Sequence, residues 1–154
     1  LKKEVWAARS SFLTAIEADT KLLDEMDVVV PVDRIAEFLV YVREVGAEQG
    51  IKIRNFGHAG DGNVHLCVVR GDRSEEAWRT DLRAAMEKVY AKACELGGVP
   101  SGEHGIGLSK RHYFLRETAK ENIAAMNRIK DALDPKHILN DQKSYISEGC
   151  EKNA

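Results

Sequence analysis

The stretch GHAGDGNVH, residues 57–65, constrains the fold of this chain more than any other part of its sequence. Its three glycines favour a tight reversal of the chain, and short apolar runs occupy 51–56 and 64–70. We therefore predict two neighbouring strands joined as a β-hairpin. His58 would end the first strand and His65 would lie just inside the second, so that the hairpin brings both imidazoles together if they share a face.

Apolar periodicity predicts further elements before the hairpin. Residues 2–16 repeat apolar side chains at helical spacing, which indicates a one-faced helix. The β-branched run DVVVPV over 27–32 predicts a strand. A second helix is expected to be capped by Asp33 and closed by Gly50.

Two more helices are predicted after the hairpin. Ser74 is the expected cap of a long helix that stops at Gly97. Thr118 and Glu121 have the spacing of a capping box, which predicts the start of a last helix. The tail beyond Asn140 shows no regular pattern.

The resulting β-α-β-β-α order predicts an α+β fold, with a ferredoxin-like antiparallel sheet, helices packed on one of its faces and a C-terminal helical segment. At 154 residues the chain has the length of a single domain, spanning 1–154. Within it we expect an N-terminal helix region over 1–26 and a ferredoxin-like core over 27–100. Residues 101–154 would carry the metal and catalytic loop, a helix and the tail.

Charge and composition exclude several classes of protein. The 23 basic and 25 acidic residues leave a formal charge of -2, which offers no general attraction for nucleic acid. No run reaches the roughly 18 to 20 apolar residues of a membrane span, and the N-terminus lacks the apolar core of a signal peptide, so a cytoplasmic protein is expected. The odd cysteine count, without CxxC spacing, predicts free thiols at Cys67, Cys94 and Cys150.

Histidines in the glycine-rich loops are the strongest sign of chemistry. Two imidazoles from His58 and His65 suit a divalent metal that needs a third ligand, and Glu103 in SGEHGIG is the obvious candidate. Such a site leaves a coordination position open, as catalytic metals do. The neighbouring His104 would then be available as a general base.

Simpler interpretations stay open at this point. The loop histidines could merely stabilise turns, without any metal. Asp61 could orient a ligand histidine or form an Asx turn, and Cys67 could line a pocket or act as a small buried hydrophobe. The basic stretch over 110–116 could meet a cofactor phosphate or be a solvated face. Neither glycine-rich loop has the pattern of a nucleotide-phosphate loop.

Three segments of the sequence resemble a known family. They are GHAGDGNVH over 57–65, SGEHGIGL over 101–108 and ALDPKHILN over 132–140. Together with the rest of the chain they are similar to the C-terminal substrate or cap domain of FAD-linked 2-hydroxy-acid dehydrogenases, the group of D-lactate dehydrogenase, glycolate oxidase and D-2-hydroxyglutarate dehydrogenase. The resemblance implies that FAD is bound mainly by an upstream domain, which is expected to be absent from this chain.

The resemblance also implies residue roles. It assigns His58, His65 and Glu103 to a divalent metal, Zn, Mn or Fe. It makes His104 the base that accepts the substrate hydroxyl proton while hydride passes to the flavin. Arg9, three residues after an N-terminal tryptophan, resembles the family arginine that pairs with the substrate carboxylate.

Departures from the family pattern bear on the substrate. Cys67 stands where many relatives have an asparagine that would contact substrate, and Asn140 begins NDQKS where a flavin-contacting NPGK is common. Leu13 and Glu25 align with a threonine and a lysine of the D-2-hydroxyglutarate enzymes. A short monocarboxylate such as lactate or glycolate is therefore expected.

The resemblance implies several partners. They are the FAD-binding domain, a 2-hydroxy-acid substrate and an electron acceptor such as an electron-transfer flavoprotein or an iron-sulfur subunit. The apolar side chains of Trp6 and Phe12 are consistent with a missing partner domain or with dimerisation, and a homodimer is expected. The isolated chain is expected to bind metal without turning over substrate. The alternative is a stand-alone ferredoxin-like module that binds a metal or small anion and catalyses nothing.

Overall fold

The computed structural model describes residues 1–18, 20, 22–140 and 143. The chain divides into two compact units, Leu1–Glu103 and His104–Ala154. In the described part of the chain, no helix has both the length and the apolar character needed to cross a membrane.

A three-stranded antiparallel sheet forms the centre of the first unit. Its strands are β1 (Leu23–Val29), β2 (Lys52–His58) and β3 (Asn63–Val69), and β3 lies between the other two. Every residue of β3 is buried. The predicted hairpin is confirmed, with His58 as the last residue of β2 and His65 inside β3.

Two helices cover one face of this sheet. Helix α3 (Ile35–Glu48) packs against β2, α4 (Glu75–Glu95) packs against β1, and the two helices pack against each other. The shared core contains fully buried side chains from both layers: Met26, Val28, Phe38, Leu66, Val68, Val89 and Tyr90. The predicted α+β class is confirmed.

The ends of α4 agree with the prediction. The Ala77 amide donates a hydrogen bond of 3.2 Å to the hydroxyl of Ser74, which therefore caps the helix as expected. At the other end Gly97 takes a φ of +85°, a left-handed conformation typical of glycine after a helix.

The predicted helix over 2–16 is two helices, α1 (Lys2–Ser10) and α2 (Phe12–Glu17). The hydroxyl groups of Ser10 and Ser11 donate to main-chain carbonyls of the preceding turn. Such side-chain bonds compete with the helical backbone, and the helix breaks at Ser11.

The boundaries predicted around 27–32 are also wrong. Strand β1 begins four residues earlier, since its pairing with β3 starts at Leu23, and it ends before the proline of the run. Residues Val32–Arg34 form a 3₁₀ turn, in which the Arg34 amide donates to a carbonyl three residues earlier. Because this turn precedes α3, Asp33 does not cap the helix.

The second unit contains α5 (Arg111–Glu117), which was not predicted, and α6 (Lys120–Leu133). The capping-box prediction is wrong because the Thr118 amide ends α5 and its backbone is extended, while α6 starts after Ala119 without a side-chain cap. The predicted free thiol at Cys150 lies outside the described residues.

Candidate metal centre

The structure brings together the three side chains predicted as metal ligands. His58 Nε2 lies 3.5 Å from Glu103 Oε1, and His65 Nε2 lies 3.2 Å from the same oxygen. The two imidazole rings stand nearly perpendicular, with centroids 5.3 Å apart. One potential donor atom from each residue falls within 4.8 Å of the others.

The hairpin aims both imidazoles to one face of the sheet. Phe56 pairs directly with His65 in the register, and His58 follows Phe56 by two residues, so their side chains share a face. The reversal depends on Gly62, whose φ is +80°, and a side chain there would place Cβ 1.9 Å from the Val30 carbonyl oxygen.

Asp61 belongs to the turn of this hairpin. Its carboxylate accepts a hydrogen bond of 3.0 Å from the Asn63 amide, two residues further on. This is the geometry of an Asx turn. The turn interpretation of Asp61 is therefore confirmed.

The donor set fits a divalent cation. Two imidazole nitrogens and one carboxylate oxygen are the ligands of many catalytic zinc sites. Donors bound at about 2.1 Å to one tetrahedral ion lie about 3.4 Å apart, which agrees with the 3.2 and 3.5 Å seen here. Since the Glu103 side chain is 57% exposed and that of His65 only 7%, the cluster is anchored on one side and open to small molecules on the other.

A buried carboxylate that the sequence analysis did not single out adjoins the cluster. Asp27 Oδ2 accepts hydrogen bonds from the Ser101 hydroxyl at 2.8 Å and from the Gly102 and Glu103 amides at 2.9 Å. Asp27 Oδ1 accepts one from Asn63 Nδ2 at 2.6 Å. Its side chain is fully buried, so these four donors replace the water that a carboxylate would otherwise bind.

Asp27 also faces one of the imidazoles. The register places Asp27 directly opposite His65, and Oδ1 lies 3.7 Å from His65 Nδ1. A signal existed in the sequence: an aspartate inside a β-branched run is a polar group in a strand that should be buried. Its partners, however, are 36 to 76 residues away along the chain.

The predicted substrate contacts Cys67 and Arg9 also belong to the first unit. Cys67 shares the sheet face of His65 but is fully buried. Burial chiefly, and the carboxylates of Glu25 and Glu17 to a smaller degree, together raise the pKa of its thiol to about 11. Arg9, on α1, stacks its guanidinium over the Trp6 ring, 5.4 Å from the centroid.

Two other predicted site residues belong to the second unit. His104 directly follows Glu103 in the chain and is exposed. Asn140 is exposed and has a φ of +48°, an uncommon left-handed conformation for a residue other than glycine. The roles predicted for both stay predictions.

An open groove adjoins the cluster through the Phe56 ring, whose centroid is 5.1 Å from that of His65. The groove has a volume of about 540 Å³. Its walls come from α2 and β2: Phe12, Ala15, Ile16, Ile53, Arg54, Asn55 and Phe56. Its lining combines apolar side chains with the cationic group of Arg54 and the amide of Asn55.

Comparisons with known proteins bear on the family to which the chain belongs. A family model described as FAD linked oxidases, C-terminal domain, matches residues 1–144. A D-lactate dehydrogenase of Anaerostipes hadrus is 48% identical over 93% of this chain and 30% of its own length. The glycolate oxidase subunit GlcD of Bacillus subtilis is 38% identical over 92% of this chain and 30% of its own length. A mitochondrial D-lactate dehydrogenase [cytochrome] of Kluyveromyces lactis is 33% identical, over 94% of this chain and 25% of its own length. The chain thus spans less than a third of these curated relatives.

Proposed function

The chain belongs to the family of C-terminal domains of FAD-linked oxidases, and from this premise we propose that it forms the substrate-binding part of a flavin-dependent dehydrogenase acting on a D-2-hydroxy acid. The product would be the 2-oxo acid. The convergence of His58, His65 and Glu103 on one small volume is the observation that supports this proposal most strongly. With a divalent cation bound, these three side chains would provide what a hydroxy acid needs, which is a cationic site for its hydroxyl and carboxylate oxygens.

In the proposed enzyme, His58, His65 and Glu103 hold a zinc, manganese or iron ion. When bound, the metal supplies polarisation of the substrate oxygens and FAD supplies the oxidising power. Since Glu103 contributes one negative charge, a divalent ion and its three ligands together keep one positive charge toward an anionic substrate.

The chain's own residues would perform the remaining tasks. His104 takes the proton of the substrate hydroxyl, because an imidazole is a suitable base near neutral pH. Arg9 pairs with the substrate carboxylate through its planar guanidinium. Cys67 is proposed to lie near the substrate, and Asn140 near the flavin.

A short monocarboxylate, lactate or glycolate, is the proposed substrate. Glu25 stands opposite Cys67 in the β1–β3 register, on the same sheet face as the candidate metal centre. A carboxylate at that place repels a second carboxylate of the substrate. Leu13 on α2 offers no hydrogen bond to such a group.

The proposal includes three partners. The FAD-binding domain supplies the flavin, an electron-transfer flavoprotein or an iron-sulfur subunit accepts the electrons, and a second copy of the chain makes a homodimer. The apolar side chains of Trp6 and Phe12 are about half accessible to solvent, which supports the proposed homodimer.

The first test is the metal content of the purified chain after loading with zinc. Wild type is expected to hold one ion per chain, and His58→Ala and Glu103→Gln to lose it. Glu44→Gln is a matched control, since Glu44 is an exposed carboxylate on α3. Failure of the wild type to bind zinc, manganese or iron would contradict the proposal.

The second test measures turnover in the flavoprotein that contains this chain. D-lactate or glycolate is expected to reduce the flavin, and His104→Asn to lower kcat while leaving the bound metal in place. If the protein holds both flavin and metal but none of the 2-hydroxy acids tested reduces the flavin, the result would instead favour a non-catalytic metal-binding module.

A further inference from the structure

Burying the carboxylate of Asp27 inside the protein costs folding free energy. Asp27 is a charged side chain with no solvent exposure, in a strand whose next residue, Val28, is fully buried as well. An apolar side chain would fill such a position without the cost of removing a carboxylate from water. Four hydrogen bonds from two distant segments compensate that cost.

We propose that Asp27 is the positioning residue of the candidate metal centre, fixing the Glu103 loop through Oδ2 and the His65 ring through Oδ1. This inference rests on the proposed function, because it concerns ligands of the metal that the function requires. Asp27 itself does not touch the metal or the substrate.

Asp27 Oδ2 ties the loop that carries Glu103 to β1. The main-chain amides of Gly102 and Glu103 and the hydroxyl of Ser101 all converge on Asp27 Oδ2. Three consecutive residues are thereby tied to one atom of β1. This fixes the direction in which the Glu103 side chain leaves the loop, toward His58 and His65.

Asp27 Oδ1 faces the imidazole of His65. When Nε2 of a histidine binds a metal, Nδ1 carries a proton, and a carboxylate near Nδ1 stabilises that form and orients the ring. Asp27 Oδ1 lies 3.7 Å from His65 Nδ1, an ion-pair distance that is longer than a hydrogen bond, while His65 Nε2 points to Glu103. Removing such a partner commonly lowers metal affinity about 10- to 100-fold.

The neighbouring Asn63 allows the two contacts of Asp27, with the loop and with His65, to be tested separately. Its Oδ1 is buried and, within the part of the chain that the structure describes, accepts no hydrogen bond. In Asp27→Asn, the amide oxygen can keep the bonds from the loop, and a rotated Asn63 amide can accept from the new NH₂ group. That group then presents a donor to His65 Nδ1. Asp27→Ala instead removes both the loop anchor and the acceptor facing His65.

The experiment compares zinc affinity, thermal stability and amide hydrogen exchange in these variants. A chromophoric chelator in competition gives the Kd for zinc, and exchange at Gly102 and Glu103 in the metal-free chain reports the loop. The control is Asp24→Asn, the same chemical change at an exposed position of β1. Ser101→Ala, which removes a single donor, replaces Asp27→Ala if the latter fails to fold.

We expect Asp27→Asn to weaken zinc binding about 10-fold or more. Its loop amides should stay protected, and its Tm should fall less than that of Asp27→Ala, which loses all four hydrogen bonds to the carboxylate. Asp27→Ala or Ser101→Ala should also speed exchange at the two loop amides. If Asp27→Asn binds zinc as tightly as Asp24→Asn, the positioning role is overturned while the metal site stands. If the wild-type chain binds no metal at all, the proposed function fails and this inference fails with it.

Discussion

Substituting Gly102 by alanine should damage the candidate metal centre without removing any ligand. A Cβ at this position would lie 2.4 Å from Asn63 Nδ2 and 2.8 Å from Val29 Cγ2. Ordinary contact begins at 3.4 Å, so the loop and the Asn63 amide must separate by about 1 Å. That shift breaks the hydrogen bond from Asn63 to Asp27 and moves the segment that carries Glu103.

The expected loss of folding free energy is about 1.5 to 3 kcal/mol, the range for a charge-assisted hydrogen bond and for overpacking by one methyl group. For a chain of this length that corresponds to a fall in Tm of roughly 3 to 12 °C. Zinc affinity should fall about 10-fold or more, because a displacement of about 1 Å is half the length of a metal–oxygen bond of about 2 Å.

Thermal denaturation followed by circular dichroism and a chelator-competition titration measure both quantities. Gly60→Ala is the matched control, because Gly60 lies in the other glycine-rich loop and a Cβ there meets nothing within 4 Å. Equal Tm and equal zinc affinity in Gly102→Ala and Gly60→Ala would refute the close packing described here.

Three further predictions concern stability and reactivity. Ser74→Ala should cost about 1 kcal/mol in urea denaturation, because it removes the cap of α4, and an unchanged midpoint would contradict the cap. The pKa of Cys67, raised from 9.0 to about 11 chiefly by burial, predicts slow alkylation by iodoacetamide at neutral pH compared with the urea-unfolded chain. Because the folded state keeps this proton longer than the unfolded state, the Cys67 contribution to stability should be lost as the pH rises from 9 toward 11. The pKa of Asp134 is lowered from 3.8 to about 2, first by its bond with Lys130 and also by main-chain amides after α6, so its contribution is present above pH 4 and is lost as the pH falls toward 2. The stability difference between wild type and Asp134→Asn should therefore shrink with acidification, and a constant difference would contradict that assignment.

Local sequence signals predicted the hairpin and the convergence of its histidines. Three glycines between two short apolar runs leave few alternatives to a reversal, and the two-residue period of a strand then fixes the faces of His58 and His65. The long helix after Ser74 was equally clear, since cap, periodicity and terminal glycine agree.

Features that depend on distant contacts or on competing local bonds were not predicted. Strand β1 starts at Leu23 because Leu23 pairs with Val69. The charged residues Asp24 and Glu25 interrupt the apolar pattern there, so the sequence did not indicate a strand. The capping box failed because Thr118 already ends the preceding seven-residue helix, which is too short for periodicity to reveal. Asp27 was overlooked because its hydrogen-bond partners come from segments far along the chain.

X-ray absorption spectroscopy of the zinc-loaded chain tests the central claim most directly, because it identifies the atoms bound to the metal. Two imidazole nitrogens and carboxylate oxygen are expected at about 2.0 to 2.2 Å from zinc in the wild type, and one imidazole in His58→Ala if zinc is retained. A wild-type spectrum without imidazole scattering, or one that His58→Ala leaves unchanged, would contradict the proposed set of metal ligands.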